Sequence, residues 1–218
     1  MTSYARTVVH LLRHGEVHNP TGVLYGRLPG YRLSERGQAM AERIAETMAD
    51  RDVRRVISSP LQRAQETARP TAAALGHALG TDDRLIEAGN KFQGLTFGVG
   101  DGSLRRPAHW KHLWNPLRPS WGEPYAMIAE RMLAAVEAAR GPGTGGEVVL
   151  VSHQLPIWTI RSHLEGRRLW HDPRKRQCSL ASLTSLVYAG ERLVEIDYSE
   201  PAADLLPLRA GSTFSAGA

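Results

Sequence analysis

Two apolar runs, Val8-Val9-His10-Leu11-Leu12 and Val148-Val149-Leu150-Val151, stand out from a chain that elsewhere mixes polar and apolar positions. Neither alternates, and neither holds a turn former, which is the pattern of strands buried on both faces. Elsewhere the period lengthens. Met40, Ile44 and Met48 recur at four-residue steps behind Ser34, a good N-cap, and predict an amphipathic helix. Ile128, Met132 and Val136 mark another helix over 125–140. Val53 to Ile57 reads as a second short strand. After it, Ser59 suits an N-cap, Pro60 the first helical position, and Gln62 a capping box. Pro70 is expected to break or kink that helix, with Leu75 to Leu79 continuing beyond the kink. Pro156 opens a further helix, and Leu180–Tyr188 with Arg192–Ile196 reads as a hairpin around Ala189-Gly190.

Residues 81–123 break this regularity. They are dense in Gly and Pro and carry Trp110, Trp114 and Trp121 among Arg105, Arg106, Lys111 and Arg118. A stretch of this kind inside a compact domain is usually functional or partly disordered, and here it is expected to form a cap beside the active site. The domain is expected to run over 1–208, with a disordered tail over 209–218.

Length and composition fit one globular domain, with 218 residues, 42% hydrophobic and 22% charged. No apolar run approaches the roughly 20 residues of a membrane span. The first residues lead into the first strand without a signal-peptide pattern, and Cys178 is the only cysteine. A cytoplasmic location is therefore expected, and an internal disulfide or a cysteine-rich metal site is excluded. The net charge of +5 favours an anionic partner, but the arginines are spread over many segments. Charge alone would suit nucleic acid; a small phosphorylated molecule needs only a local pocket.

The chemistry collects where strands end. The first run stops in Arg13-His14-Gly15, the second in Ser152-His153, and Arg63 lies in the helix start after the intervening strand. Ligands of parallel α/β sheets bind just outside such strand ends. Gly15 there would let the backbone approach a ligand closely. Two guanidinium groups and two imidazoles converging on one crevice suit a dianionic phosphoryl group.

These stretches resemble the histidine phosphatase superfamily, the phosphoglycerate-mutase-like enzymes. Arg13-His14-Gly15-Glu16 with Asn19 is similar to the first signature of that family, Ser59 to Ala68 to the second, and Val151-Ser152-His153 to the third. The resemblance implies a three-layer α/β/α sandwich with a mostly parallel sheet. It also implies a metal-independent phosphomonoesterase without a cofactor, acting on a small phosphorylated metabolite. His14 would be the nucleophile, with Arg13, Asn19, Arg63 and His153 gripping the phosphoryl group. Glu87, in Leu85-Ile86-Glu87, would be the general acid, although its spacing to Gly94 is one residue short of the pattern. Gln154 stands where the family usually has Gly and would narrow the pocket floor beside the phosphate.

Phosphoglycerate-mutase-type transfer is the nearest alternative, faintly supported by Arg105-Arg106. A binding module for phosphorylated partners ranks lower, and nucleic-acid binding lower still. Among the remaining residues, His10 and His77 read as structural and Cys178 as packed. His109 and His112 could pair on a metal but lack an evident third ligand. Glu16 and His18 either touch substrate or shape the signature loop.

Overall fold

The computed structural model describes residues 5–96, 122–141 and 145–207. Six strands form one sheet in the order β3-β2-β4-β1-β5-β6. In chain order they are β1 (Arg6–Arg13), β2 (Val53–Ser58), β3 (Leu79–Thr81), β4 (Gly146–Ser152), β5 (Leu183–Ala189) and β6 (Arg192–Ser199). The first four are mutually parallel; β5 runs antiparallel to β1, and β6 antiparallel to β5. The hairpin after Leu183 is thus present, and the sheet is mostly parallel.

Helices cover both faces. Helices α1 (Glu35–Met48) and α2 (Gln62–Ala74) lie on one, α3 (Tyr125–Arg140) and α4 (Gln154–Leu164) on the other. The apolar runs serve both layers because neighbouring strand residues point to opposite faces. Leu12, Val149 and Val151 pack with Met40, Ile44 and Met48 of α1. Val9, Leu11, Val148 and Leu150 pack with Ile128, Met132 and Val136 of α3. Truncating one of these side chains to Ala costs about 2–5 kcal/mol in a typical core. Ser34 caps α1 as expected, its Oγ accepting from Gly37 N at 3.0 Å. Among the described residues, no helix is long and apolar enough to cross a membrane.

Three expectations fail around α2. The helix begins at Gln62 with Leu61 as N-cap and no side-chain cap, so the capping box is absent. Ser59 instead follows β2 directly, its N–H extending the ladder to Val151 O at 2.9 Å. Helix α2 also runs through Pro70 to Ala74 without breaking. Pro70 sits on a half-exposed side of the helix, where water can satisfy the carbonyl freed by its missing N–H. The chain then turns at Gly76, with φ 67°, and Leu79–Thr81 forms β3 instead of more helix.

The 81–96 portion of the cap-like segment is ordered into a 3-10 turn (Asp83–Leu85) and tight loops. The three tryptophans, Arg105, Arg106, Lys111, Arg118, His109, His112 and the 209–218 tail lie outside the described residues.

Strand register aims the chemistry. Arg13 pairs with Ser152, and Ser58 with Val151, so β1, β4 and β2 stop nearly level. The next residues are His14, His153 and Ser59. Gly15 then meets α1, not a ligand, since a Cβ there would stand 2.6 Å from Gly37 O. A Cβ on Gly37 would collide in turn with Glu16 O. Both obstacles are backbone, which cannot rotate away. Gly37→Ala is therefore expected to lower stability by about 1–3 kcal/mol or more, read from the urea midpoint. An unchanged midpoint would show that α1 and the signature loop can part without cost.

Candidate active site

His14 is fully buried, one residue beyond β1. Its Nδ1 lies 2.8 Å from Gly15 O, a carbonyl that can only accept, so the ring proton sits on Nδ1. Nε2 keeps its lone pair and faces Arg63 Nε at 3.4 Å. Gly15 N–H donates to Thr67 Oγ1 at 3.0 Å, and Thr67 donates on to Arg63 O at 2.8 Å. One threonine of α2 therefore ties the histidine turn to the arginine opposite it.

Arg13 and Arg63 are buried without a carboxylate partner among the described residues. Arg13 Nη1 donates to Cys178 O and Arg63 Nη2 to Gly26 O, each at 2.7 Å. Arg63 also lies over the Tyr25 ring, 4.7 Å from its centroid. His153 completes the group, its ring centroid 5.1 Å from that of His14. Its Nε2 is 2.8 Å from Ser59 Oγ, which accepts from Leu61 N at 3.3 Å. Ser59 can then give its proton to Nε2, leaving the His153 proton on Nδ1 as a donor. Ser59, expected as a helix cap at the start of the second signature stretch, is thus a partner of the second histidine.

Glu87 is buried at the mouth of β3, just past the 3-10 turn. Its Oε1 accepts from Ala88 N at 2.8 Å, and Arg27 Nε holds its backbone oxygen at 2.6 Å. Among the described residues, Arg13 Nε, His153 Nδ1 and Glu87 Oε2 are all buried without a hydrogen-bond partner. Leaving such atoms unsatisfied costs about 1–3 kcal/mol each, a strain a phosphate-sized ligand can relieve.

Other predicted residues take other places. Both amide atoms of Asn19 engage Val23, Oδ1 accepting from its N–H at 3.1 Å and Nδ2 donating to its O at 2.9 Å. Gln154 donates from Nε2 to Cys178 O and accepts from Arg176 Nη1, both at 3.3 Å. Glu16 shapes the loop, accepting from Ser34 Oγ at 2.6 Å and Arg36 Nη1 at 3.1 Å, while His18 is exposed. His10 is structural, 2.8 Å from Ser185 Oγ and 3.0 Å from Glu147 Oε2. His77 binds Val53 O at 2.8 Å, and Cys178 is buried, its thiol pushed up by that burial. Sequence reasoning missed Arg176, Tyr25 and Arg27. Only the short basic run Arg174-Lys175-Arg176 could have drawn attention to the first. Among the described residues, no group of three or more His, Cys, Asp or Glu is placed to hold a metal ion.

An α/β/α sandwich bringing two histidines, two arginines and a buried glutamate to its parallel strand ends is of the phosphoglycerate-mutase-like type. The chain belongs to the histidine phosphatase superfamily, branch 1, whose family model matches residues 9–200. It is 61% identical over 197 residues to the uncharacterised protein Rv0525 of Mycobacterium tuberculosis, covering 90% of this chain and 98% of that one. A Yersinia pestis protein named probable phosphoglycerate mutase GpmB is 31% identical over 189 residues, 79% of this chain and 82% of its own. Among solved structures, mycobacterial glucosyl-3-phosphoglycerate phosphatase Rv2419c superposes with a TM-score of 0.68 at 27% identity, covering 89% and 96% of the two chains. A phosphoserine phosphatase of Entamoeba histolytica shares the fold, with a TM-score of 0.72 at 20% identity over 90% and 99%.

Burial, then Arg63 and Arg13, holds His14 well below the ordinary histidine value of 6.5. Burial, Arg63, His14 and Arg13 do the same to His153. Burial raises Glu87 above its ordinary 4.5, against the opposing pull of the Ala88 N–H and of Arg63, Arg176 and Arg13. The unfolded chain protonates its histidines near 6.5, whereas folded His14 and His153 resist until lower pH. Their contribution to stability is complete above pH 6.5 and is lost as pH falls below it. Glu87 acts oppositely in a window above 4.5, where the folded state keeps its proton and stability falls as pH rises. Each buried histidine is expected to add about 1.4 kcal/mol per pH unit to the slope below 6.5. Urea unfolding at several pH values should show His153→Gln flattening that slope by about one such increment. An unaltered slope would mean that His153 titrates normally in the fold.

Proposed function

We propose that this chain is a phosphomonoesterase working through a phosphohistidine on His14. The observation that carries the reading is the buried His14 ring, with Nδ1 tied to Gly15 O and Nε2 turned toward Arg63. In the first step Nε2 attacks phosphorus, a P–N bond forms, and the P–O bond to the leaving alcohol breaks. Arg13, Arg63 and the His153 Nδ1 proton hold the three equatorial oxygens as their charge redistributes. Glu87, which burial keeps protonated above the usual carboxylate range, gives its proton to the leaving oxygen. It then takes a proton from water as that water attacks phosphorus and releases His14. Asn19 supports the phosphate loop through its bonds to Val23.

The guanidinium groups supply the positive charge that a metal ion would otherwise bring, so the proposed chemistry is metal-independent. The substrate is a small phosphorylated metabolite. The likeness to Rv2419c, a phosphatase also solved with VO3, supports hydrolysis and binding of phosphate analogues. The likeness to GpmB supports the second reading, in which an alcohol in place of water takes the phosphoryl group.

Rapid-quench trapping with a labelled phosphomonoester is expected to give an acid-labile, base-stable adduct that His14→Ala lacks. The same adduct in His14→Ala would sink the assignment. Label ending in inorganic phosphate supports the esterase, and label returned to an organic acceptor the mutase. Arg63→Ala should cost about 100-fold or more in kcat, and Arg63→Lys should recover little because a point charge cannot replace a fork. Prolonged EDTA treatment should leave turnover unchanged; activity lost and then restored by Zn²⁺ or Mg²⁺ would contradict the metal-independent step.

A further inference from the structure

Arg176 enters from the connection between α4 and β5, a segment outside all three signature stretches. Its Nε donates to His171 Nε2 at 2.8 Å and its Nη1 to Gln154 Oε1 at 3.3 Å. Both acceptors are neutral. His171 Nδ1 donates to Leu169 O at 2.6 Å, so its one ring proton is already placed and Nε2 offers a lone pair. Burial and the Arg176 charge keep His171 below the ordinary histidine range, and its ring lies 5.6 Å from Tyr125 and 5.8 Å from Trp158. Gln154 is fixed in turn through Cys178 O, the carbonyl that also receives Arg13 Nη1.

Arg84, Arg131, Arg140 and Arg174 each bind a carboxylate. Arg176 has no such partner among the described residues, and its Nη2 makes no hydrogen bond there. Its full positive charge is therefore held in place but not neutralised. Arg176 lies near enough to Glu87 and to Arg13 for its charge to act on both. Through Gln154, the residue after His153, and through Cys178 O, which also receives Arg13, it adjoins the cluster of candidate site residues.

We propose that Arg176, braced by His171 and Gln154, forms a second anion subsite that selects substrates carrying a carboxylate on the leaving group. The assignment of that carboxylate to a leaving group rests on the phosphatase reading; the subsite itself does not. The outer edge of the guanidinium offers parallel N–H groups that match a carboxylate bidentately. The Gln154 side chain is what supports this edge, and a glycine there could not.

Phosphonates test the subsite without turnover, because their P–C bond is not hydrolysed by this chemistry. Calorimetry would compare 3-phosphonopropionate with propylphosphonate, and 4-phosphonobutyrate with butylphosphonate, so that two spacings are sampled. The wild type is expected to favour the carboxylate in at least one pair by about 10- to 100-fold. Arg176→Met should reduce that preference to within about twofold, and Arg176→Lys should retain part of it. The lysine variant carries the comparison if the methionine variant does not fold. No preference in the wild type, a preference surviving in Arg176→Met, or no binding of any of the four would overturn the proposal. If the preference is present but the wild type releases phosphate from no phosphomonoester, hydrolysis falls and the subsite stands. A side chain that merely latched the connection would leave the paired ratios unmoved.

Discussion

The fold has to hold guanidinium groups charged in its interior without giving them a carboxylate. An isolated buried charge is expensive, and the ordinary remedy is an ion pair. Here the remedy is the backbone. Arg13 is held by Cys178 O and Arg63 by Gly26 O, with the Tyr25 ring beneath the second guanidinium. Carbonyl dipoles and a π face satisfy N–H groups while cancelling little of the charge. Much else follows from this choice. The 178–182 turn and the loop through Gly26 must both reach the strand ends, and burial among these cations holds the imidazoles well below the ordinary histidine range.

The positions of those carbonyls are secured by ordinary packing. Register between β1 and β4 places His14 beside the residues that lead to His153, and Thr67 clasps Gly15 from α2. The backbone contact between Gly15 and Gly37 then fixes how deeply α1 seats against the signature loop. Two hydrophobic layers, one on each side of the sheet, supply the rigidity that these polar contacts presuppose. Glu87 arrives by a different route, at the end of the shortest strand and through a 3-10 turn closed by Asp82, whose side chain accepts from Arg84 N.

Much of this was legible in the residue pattern. The buried stripes of α1 and α3 follow from large side chains at four-residue steps, a signal that tertiary context seldom overrides. Strand ends bearing Arg13, His14 and His153 were readable for the same reason, since uninterrupted apolar runs stop abruptly at them. Failures came where local chemistry competes with the fold. Ser59 has the credentials of a cap, but the ladder to Val151 and the bond to His153 claim it first. Pro70 is tolerated on a half-exposed side of α2, and β3 is too short to carry a period. Arg176 was invisible for a deeper reason. No spacing or propensity marks a side chain whose importance lies in the neutrality of its neighbours, His171 and Gln154, which only the folded chain brings to it.

Carbonyl-held cations have a cost at the other end of the reaction cycle. Donors paired with acid side chains must let go before they can grip a substrate, whereas these stand ready at all times. The same readiness applies to every small dianion in solution, liberated inorganic phosphate among them. A pocket that needs no rearrangement to capture its ligand provides none to expel it. Under the proposed chemistry, turnover would be governed by how quickly phosphate escapes from Arg13 and Arg63, and salts that compete for the cradle would act as inhibitors.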